Sequence, residues 1–519
     1  MSEYKMNQTF VNPLCLPEYP ATGRIGRPSP FGKGPDGPFG MGPMVAKGLP
    51  PTHQRFKKLF GARAQLQTEN DTRSSADPVG LYYNDTWYLY ATGSGCWSSK
   101  DFVNWTPHDT GAQYTAPDIA VRRGKFYLAG NSTELYVADC PTGPFTAVGH
   151  FTWQGERLTP RNDDISIFVD DDERMYLYWG MGPGIWGAEL NVDNPTELIT
   201  EPRNLILFDA NHWWERCGEN NQDWSNGFPE GSNMIKINGT YYLQYSVCGT
   251  EYSTYCMGCY KSSDGPLEGF KLQDYNPIAR KVTGLYRGIG HAAVCKGPND
   301  TLWMFETVLI GVDGDLERRL ACDPAGIDEN GDLYVKYHYE QPQFVPGVIA
   351  HPELGNGTNL DNLTTRHQVW ATSHAPGRNA VYGNDGNIMT WWQPADDDKE
   401  PTMVIGLRAD YNIYGARVMF KEVGLKFSEG IDKGPFGYRI EIYNGDDPGN
   451  EAWTTIIDRT NNEEDYVFFY DTLETPVPAC YTRLVITKWP EGQHPGIIDF
   501  TLFGMHELKP HSGEPVQLA

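Results

Sequence analysis

Four carboxylates and one histidine stand at matching places along the chain: Asp77 in "ADPVG", Asp118 in "APDIA", Asp164 in "NDDIS", Glu230 in "PEGSN" and His291 in "GHAAV". Each comes just before an apolar strand and its hairpin partner. A carboxylate carried into a core is costly unless it is paired or does chemistry. The later acids of "RNDDISIFVDDDERMYLYWG", Asp170 to Asp172 with Glu173, have a plainer origin, because short polar residues make the turn before the return strand Met175 to Trp179. Asp164 has no such turn to serve. Any one of the five, taken singly, can close an Asx turn at a strand start. Brought together they would repel unless a proton, a cation or a substrate lay among them. Carboxylates facing one another across a narrow pocket suit acid–base chemistry, in which one, protonated, gives its proton to a leaving oxygen and another, ionised, activates water or attacks.

The elements that must hold these residues recur. Hairpins read at "GLYYNDTWYLYATG" from residue 80, "DIAVRRGKFYLAGN" from 118, "SIFVDDDERMYLYWG" from 166, "NMIKINGTYYLQYS" from 233 and "AAVCKGPNDTLWMFE" from 292. The intervals leave room for a further strand pair each, so each predicts a four-stranded sheet. Such sheets repeated radially make a five-bladed β-propeller, whose equivalent positions converge on the axis. Helical periodicity is almost absent, which excludes an α/β barrel. The expected fold class is all-β.

This pattern resembles the inverting glycoside hydrolases of family 43 and their clan, over roughly residues 75 to 340. The likeness rests on "ADPVG", "DISIFVDDDERMYLYWG", "EGSNMIKINGTYYLQYS" and "GHAAV", in the family's order. It implies Asp77 as general base, Asp164 as the residue that sets pKa and orientation, and Glu230 as general acid, with the acid and base carboxyls about 6.5 to 9.5 Å apart. Trp224 and Phe228 in "DWSNGFPEG" form an apolar approach expected to keep Glu230 protonated. His291 matches a family histidine at the channel, near which some members hold a water-coordinated ion. No cofactor is required, and a structural calcium or sodium near His291 is the one ion the resemblance suggests. Arg318 in "RRLACDP" matches a family arginine that contacts the sugar, with adjacent Arg319 leaving the register open. Asp118 is the rival for either aspartate role, and with Trp224, His291, Arg318 and Arg319 it makes up the expected substrate-binding set. Two departures stand out: Asp164 is followed by Ile165 rather than Pro, and the turn has Glu173-Arg174 in place of Gly.

Beyond about 345 to 365 the pattern changes. "WATSHAPGRNAVYGNDGNIMTWWQP" and the strands after it resemble the discoidin-like C domain of coagulation factors, a β-sandwich, with Asp385-Gly386-Asn387, Thr390 and Trp391 in place. The expected domains are a Pro/Gly-rich arm at 1–65, a propeller at 66–345, a linker at 346–365, the sandwich at 366–508 and a tail at 509–519. The arm, with "RPSPFGKGPDGPFGMGPM", lacks the Gly-Lys-Ser/Thr and the preceding strand of a phosphate loop. It reads as a disordered leader or as an arm that wraps the fold or joins a homodimer.

A net charge of -25 opposes binding to nucleic acid, which takes a basic face. Fifteen Trp and thirty Tyr supply flat faces of the kind that sugars stack upon. The start "MSEYKMNQTF" shows no signal-peptide pattern and no run spans a bilayer, so the chain as given reads as soluble, and as secreted or periplasmic only with a leader removed. Nine Asn-x-Thr sequons arise easily in such a composition, and Cys256-x-x-Cys259, with no second pair, reads as strand thiols rather than a zinc site. The expectation is an inverting, exo-acting glycosidase on plant or algal polysaccharide or its oligosaccharides. Arabinofuranoside and xyloside come first, galactoside and anhydro-galactoside next. The alternative is a propeller that binds glycans without cleaving them.

Overall fold

The computed structural model describes residues 5–19, 21–22, 72–131, 134–158, 163–182, 184–310, 317–336, 340–423, 434–445, 449 and 452–506. The central Pro/Gly-rich run and the tail lie outside them. Five sheets follow in chain order, antiparallel but for one short parallel pairing in the third, between Thr152–Trp153 and Asn194–Leu198. The first runs Val79–Tyr83, Thr86–Tyr90, Gly93–Ser99, Thr106–Tyr114, and the second Asp118–Arg122, Lys125–Ala129, Leu135–Ala138, Thr146–Gly149. The third is built on Ser166–Val169, Met175–Trp179, Gly184–Asn191 and Asn194–Leu198, and the fourth on Glu230–Ile237, Thr240–Val247, Cys256–Ser262 and Lys271–Leu272. The fifth runs Arg287–Lys296, Leu302–Leu309, Arg318–Ile327, Leu333–Val335. The first strand of each sheet lies beside the first strand of the next, and that of the fifth meets that of the first. The arrangement is propeller-like and all-β.

Local chemistry explains the hairpins. Asn84-Asp85, Arg123-Gly124 and Asn238-Gly239 all have positive φ at both positions, the twist that two-residue turns need between right-twisted strands. Alternating side chains then fill the spaces between sheets. Trp87 of the first sheet meets Phe305 of the fifth edge to face, with centroids 5.5 Å apart. Gly80 is required at that seam, because a Cβ there would lie 2.3 Å from the Phe305 ring. Burial of each such aromatic contributes roughly 1.5 to 3 kcal/mol. Cys256 and Cys259 lie on one strand, three residues apart, so their side chains point to opposite faces.

Residues 5–19 of the expected arm lie against their own chain. Thr9–Phe10 pairs with Gln343–Phe344, and Phe10, Leu14, Leu16 and Tyr19 are buried with Trp87, Trp97 and Trp303. The Asn12 amide exchanges two hydrogen bonds, 3.0 Å each, with the backbone of Cys322. The C-terminal part is one seven-stranded sheet. Its order is Asp361–Asn362, His494–His506, Thr402–Val423, Phe468–Lys488, Gly437–Tyr443, Thr454–Asp458, with Gln368–Ala371 on the side of Thr402–Val423. A single apolar cluster runs from the fourth and fifth sheets into this layer. Buried Arg73 bridges to Glu422 and Asp465 at 2.8 Å each, tying the head of the first sheet to the C-terminal layer.

Candidate active site

Asp77 and Asp164 sit two residues before the first strands of their sheets, and both have left-handed backbone, φ 56° and 50°. His291 has φ 38° and projects from an irregularity inside Arg287–Lys296, where the pairing register shifts on both sides of Gly290. Such conformations cost about 1 to 3 kcal/mol each and persist only where neighbours hold them. The holding device repeats. The Asp77 N–H donates to Thr307 Oγ1 at 2.7 Å, the His291 N–H to Ser246 Oγ at 2.6 Å, and the Asp164 N–H to Asn131 Oδ1. In each case a polar side chain near the end of the second strand of one sheet captures a left-handed residue at or in the first strand of a neighbouring sheet.

The second sheet follows the same rule with a different residue. Thr92 Oγ1 accepts the N–H of Ala116, φ 47°, at 3.0 Å, so Ala116 and not Asp118 is the structural counterpart of Asp77 and Asp164. Asp118 is the first residue of its strand. Its Oδ2 accepts the Ile167 N–H at 2.6 Å and its Oδ1 faces Asn233 Nδ2 at 3.5 Å, so it braces the first strands of the second, third and fourth sheets. The sequence held the clue, since aligning the prolines of "ADPVG" and "APDIA" sets Ala116, not Asp118, against Asp77.

The side chains converge. His291 Nδ1 lies 3.5 Å from Asp77 Oδ1 and 3.8 Å from Asp164 Oδ2, and ligand atoms of Asp164, Glu230 and His291 all lie within 4.8 Å of one another. Arg318 NH1 reaches Asp77 Oδ1 at 3.4 Å, and the Thr92 hydroxyl donates to Asp77 Oδ2. Asp164 accepts from Asn131 Nδ2 at 2.8 Å and from the Gly231 N–H at 3.1 Å. Tyr255 donates its hydroxyl to Glu230 Oε1 at 2.5 Å. Asp77, Asp164 and Glu230 are all buried.

Electrostatics separates the carboxyls. Burial pushes Asp77 upward, but Arg318, His291 and the Thr92 hydroxyl outweigh it and hold the carboxyl below its ordinary value. Glu230 goes the other way: burial, then the charge of Asp164, raise it well above the ordinary glutamate value, against the pull of the Tyr255 hydrogen bond. Asp164 is also raised by its burial, with His291 and Asn131 opposing. One carboxyl pushed toward its ionised form and one toward its protonated form within a single buried cluster match the pair of states that general acid–base cleavage uses. Asp164, Glu230 and His291 suit a directly bound calcium poorly. They offer three of the six to eight donors it takes, so an ion here would need water for most of its ligands.

The remaining expected residues divide. Arg318 points into the site, whereas Arg319, next along the strand and hence on its other face, donates to the carbonyls of Arg73 and Arg318 and lies 5.2 Å from the Tyr19 and Phe468 rings. It is a packing residue of the arm and C-terminal layer. Trp224 does not bury Glu230: it is 60% exposed, with the Arg216 guanidinium 3.2 Å from its ring. The wall beside Glu230 includes Tyr255, which sequence reasoning missed along with Thr92, Asn131 and Thr307.

Residues 72–331 match the family described as Glycosyl hydrolases family 43. Among characterised proteins, Beta-D-galactofuranosidase xynD of Aspergillus niger is 25% identical over 232 residues, covering 38% of this chain and 62% of its own. Arabinoxylan arabinofuranohydrolase of Bacillus subtilis is 28% identical over 238 residues, 34% of this chain and 44% of its own. The chain spans about half the length of the curated relatives it matches. A crystal structure of a thermostable family-43 glycoside hydrolase aligns over 53% of this chain and 97% of that one, at 22% identity and a TM-score of 0.45.

Proposed function

The chain belongs to glycosyl hydrolases family 43, and from that premise we propose that it is an exo-acting, inverting glycoside hydrolase of plant or algal polysaccharides and their oligosaccharides. The observation that carries the reading is the opposed setting of Asp77 and Glu230, one carboxyl held ionised and the other protonated in one buried cluster. In the reaction, Glu230 passes its proton to the glycosidic oxygen as the bond to the anomeric carbon breaks. Asp77 takes a proton from water attacking the opposite face of the sugar. Asp164 keeps Glu230 protonated by its charge, while Arg318 and His291 keep Asp77 ionised. Relatives named as arabinofuranohydrolase, xylosidase/arabinosidase and galactofuranosidase favour a terminal arabinofuranoside or xyloside, with a galactofuranoside next.

Five blades and a discoidin-like sandwich complete the reading of the architecture. Five sheets with adjoining first strands support the first. Asp385, whose Oδ2 accepts the Thr390 hydroxyl at 2.7 Å just before Trp391, supports the second. A panel of aryl glycosides tests the activity: release of aryl alcohol from arabinofuranoside or xyloside is expected. A silent panel together with glycan binding on an array would replace the hydrolase with a binding protein.

A further inference from the structure

The insertion between Leu207 and Phe228, which runs directly into Glu230, carries a feature that acid–base cleavage does not use. Trp213 and Trp224 stand 51% and 60% exposed on it. Each is faced by an arginine: Arg216 lies 3.2 Å from the Trp224 ring, and Arg280, from the fourth sheet, 5.1 Å from the Trp213 ring. Asn221 links the two, donating to the Arg216 carbonyl at 2.7 Å and accepting from Arg280 NH2 at 3.1 Å. The insertion rests on the segment that completes the site. Thr254 donates to the Gly218 carbonyl at 2.8 Å, and Ser253 to Glu219, beside Tyr255 and Thr250, which touch Glu230 and Arg318.

Charge makes the patch unusual. In a chain of net charge -25, neither Arg216 nor Arg280 has a carboxylate within 4.0 Å among the described residues. Acids of the insertion are engaged elsewhere: Glu215 with Tyr245 at 2.7 Å, Glu219 with Ser253, Asp223 with Ser225 at 2.6 Å. Arg216 gives its Nε to the Ala210 carbonyl at 2.7 Å and its guanidinium carbon lies over the Trp224 ring, while its two terminal nitrogens have no protein acceptor among the described residues. A planar fork lying over an aromatic ring, with its terminal donors open, suits a carboxylate.

We propose that Trp213, Arg216, Trp224 and Arg280 form a subsite for an acidic sugar, a uronate on the leaving-group side of the scissile bond, with Arg216 gripping its carboxylate and the indoles stacking on neighbouring rings. The proposal rests on the hydrolase reading, which places the leaving portion beside Glu230. Calorimetry on the full-length Glu230→Gln protein with uronate-bearing plant oligosaccharides, and with the same oligosaccharides reduced at carbon 6 to neutral sugars, tests it. At low salt the uronate forms are expected to bind at least about tenfold more tightly. The preference should shrink as salt rises, and Arg216→Lys, which keeps the charge but loses the fork, should lose most of it. Equal binding of native and reduced forms, or binding of neither, overturns the proposal, and that comparison leaves the patch intact, so it does not depend on how a variant folds. Failure of the wild-type protein to cleave any aryl glycoside would sink the hydrolase reading by a separate measurement.

Discussion

At the scale of single residues, the chemistry turns on two carboxyls moved in opposite directions from their ordinary values. kcat/KM is expected to rise as Asp77 loses its proton, at a pH below the ordinary carboxylate range near 4, and to fall as Glu230 loses its own, above that range. Neighbours set the upper limb in a predictable sense. Tyr255 hydrogen-bonds Glu230 and favours its ionised form, so Tyr255→Phe should move the alkaline limb to higher pH. Asp164 does the reverse by its negative charge, so Asp164→Asn should move that limb to lower pH. An alkaline limb unmoved in both variants would mean that some group other than Glu230 titrates there. Leaving-group dependence separates acid from base. Glu230→Gln should lose on the order of 10² to 10⁴ in rate on natural glycosides, and much less on aryl glycosides whose leaving group departs without a proton. Asp77→Asn should lose both alike, because water must be activated whatever leaves.

At the scale of the elements, the site is made by a repeated seam. A polar side chain near the end of one sheet's second strand holds a left-handed residue at or in the first strand of a neighbouring sheet, as in Thr307 to Asp77, Asn131 to Asp164 and Ser246 to His291. Asp118 belongs to the bracing part of that seam. Asp118→Ala leaves the Ile167 N–H unpaired and should cost about 1 to 3 kcal/mol in thermal or denaturant unfolding, while kcat/KM survives far better than in Asp77→Asn. A dead Asp118→Asn beside an active Asp77→Asn would exchange their roles. The five hairpins were legible because their turns carry local signals, Asn-Asp, Arg-Gly and Asn-Gly, between aromatic strands. The heads of the hairpins were legible as a set, and Asp77, Asp164, Glu230 and His291 do meet. What misled was a shift of two residues at Asp118, visible only once the adjacent prolines are aligned. Tyr255 and Thr307 were not readable at all, since Tyr255 reaches the Glu230 carboxyl from the residue before Cys256–Ser262 and Thr307 reaches the Asp77 backbone N–H from a sheet distant in sequence. Trp224 was read as a wall for Glu230, when hydropathy alone does not say on which side of a loop an indole lies.

At the scale of the whole molecule, the ring of sheets is clamped by parts far apart in sequence. Residues 5–19 close over the seam between the first and fifth sheets, and the C-terminal layer grips the same region through Arg73, Glu422 and Asp465. Buried Arg417 pairs with Asp499 at 2.9 Å and donates to the Glu340 and Asn12 carbonyls at 3.0 and 3.3 Å, binding the C-terminal layer to both the ring and the N-terminal segment. Arg319 serves this clamp while its neighbour Arg318 serves the site, so one strand connects the scaffold to the chemistry. That rigidity matters because the account requires Asp77 to direct a water at the sugar from a fixed place rather than to reach the anomeric carbon itself. The stereochemical outcome reports this most directly. A proton NMR time course of the intact protein acting on a glycoside that it cleaves should show the anomer of inverted configuration first, with the retained anomer growing in only by mutarotation. Retained configuration in the first-formed product would contradict the assignment of Asp77 as a base that activates water.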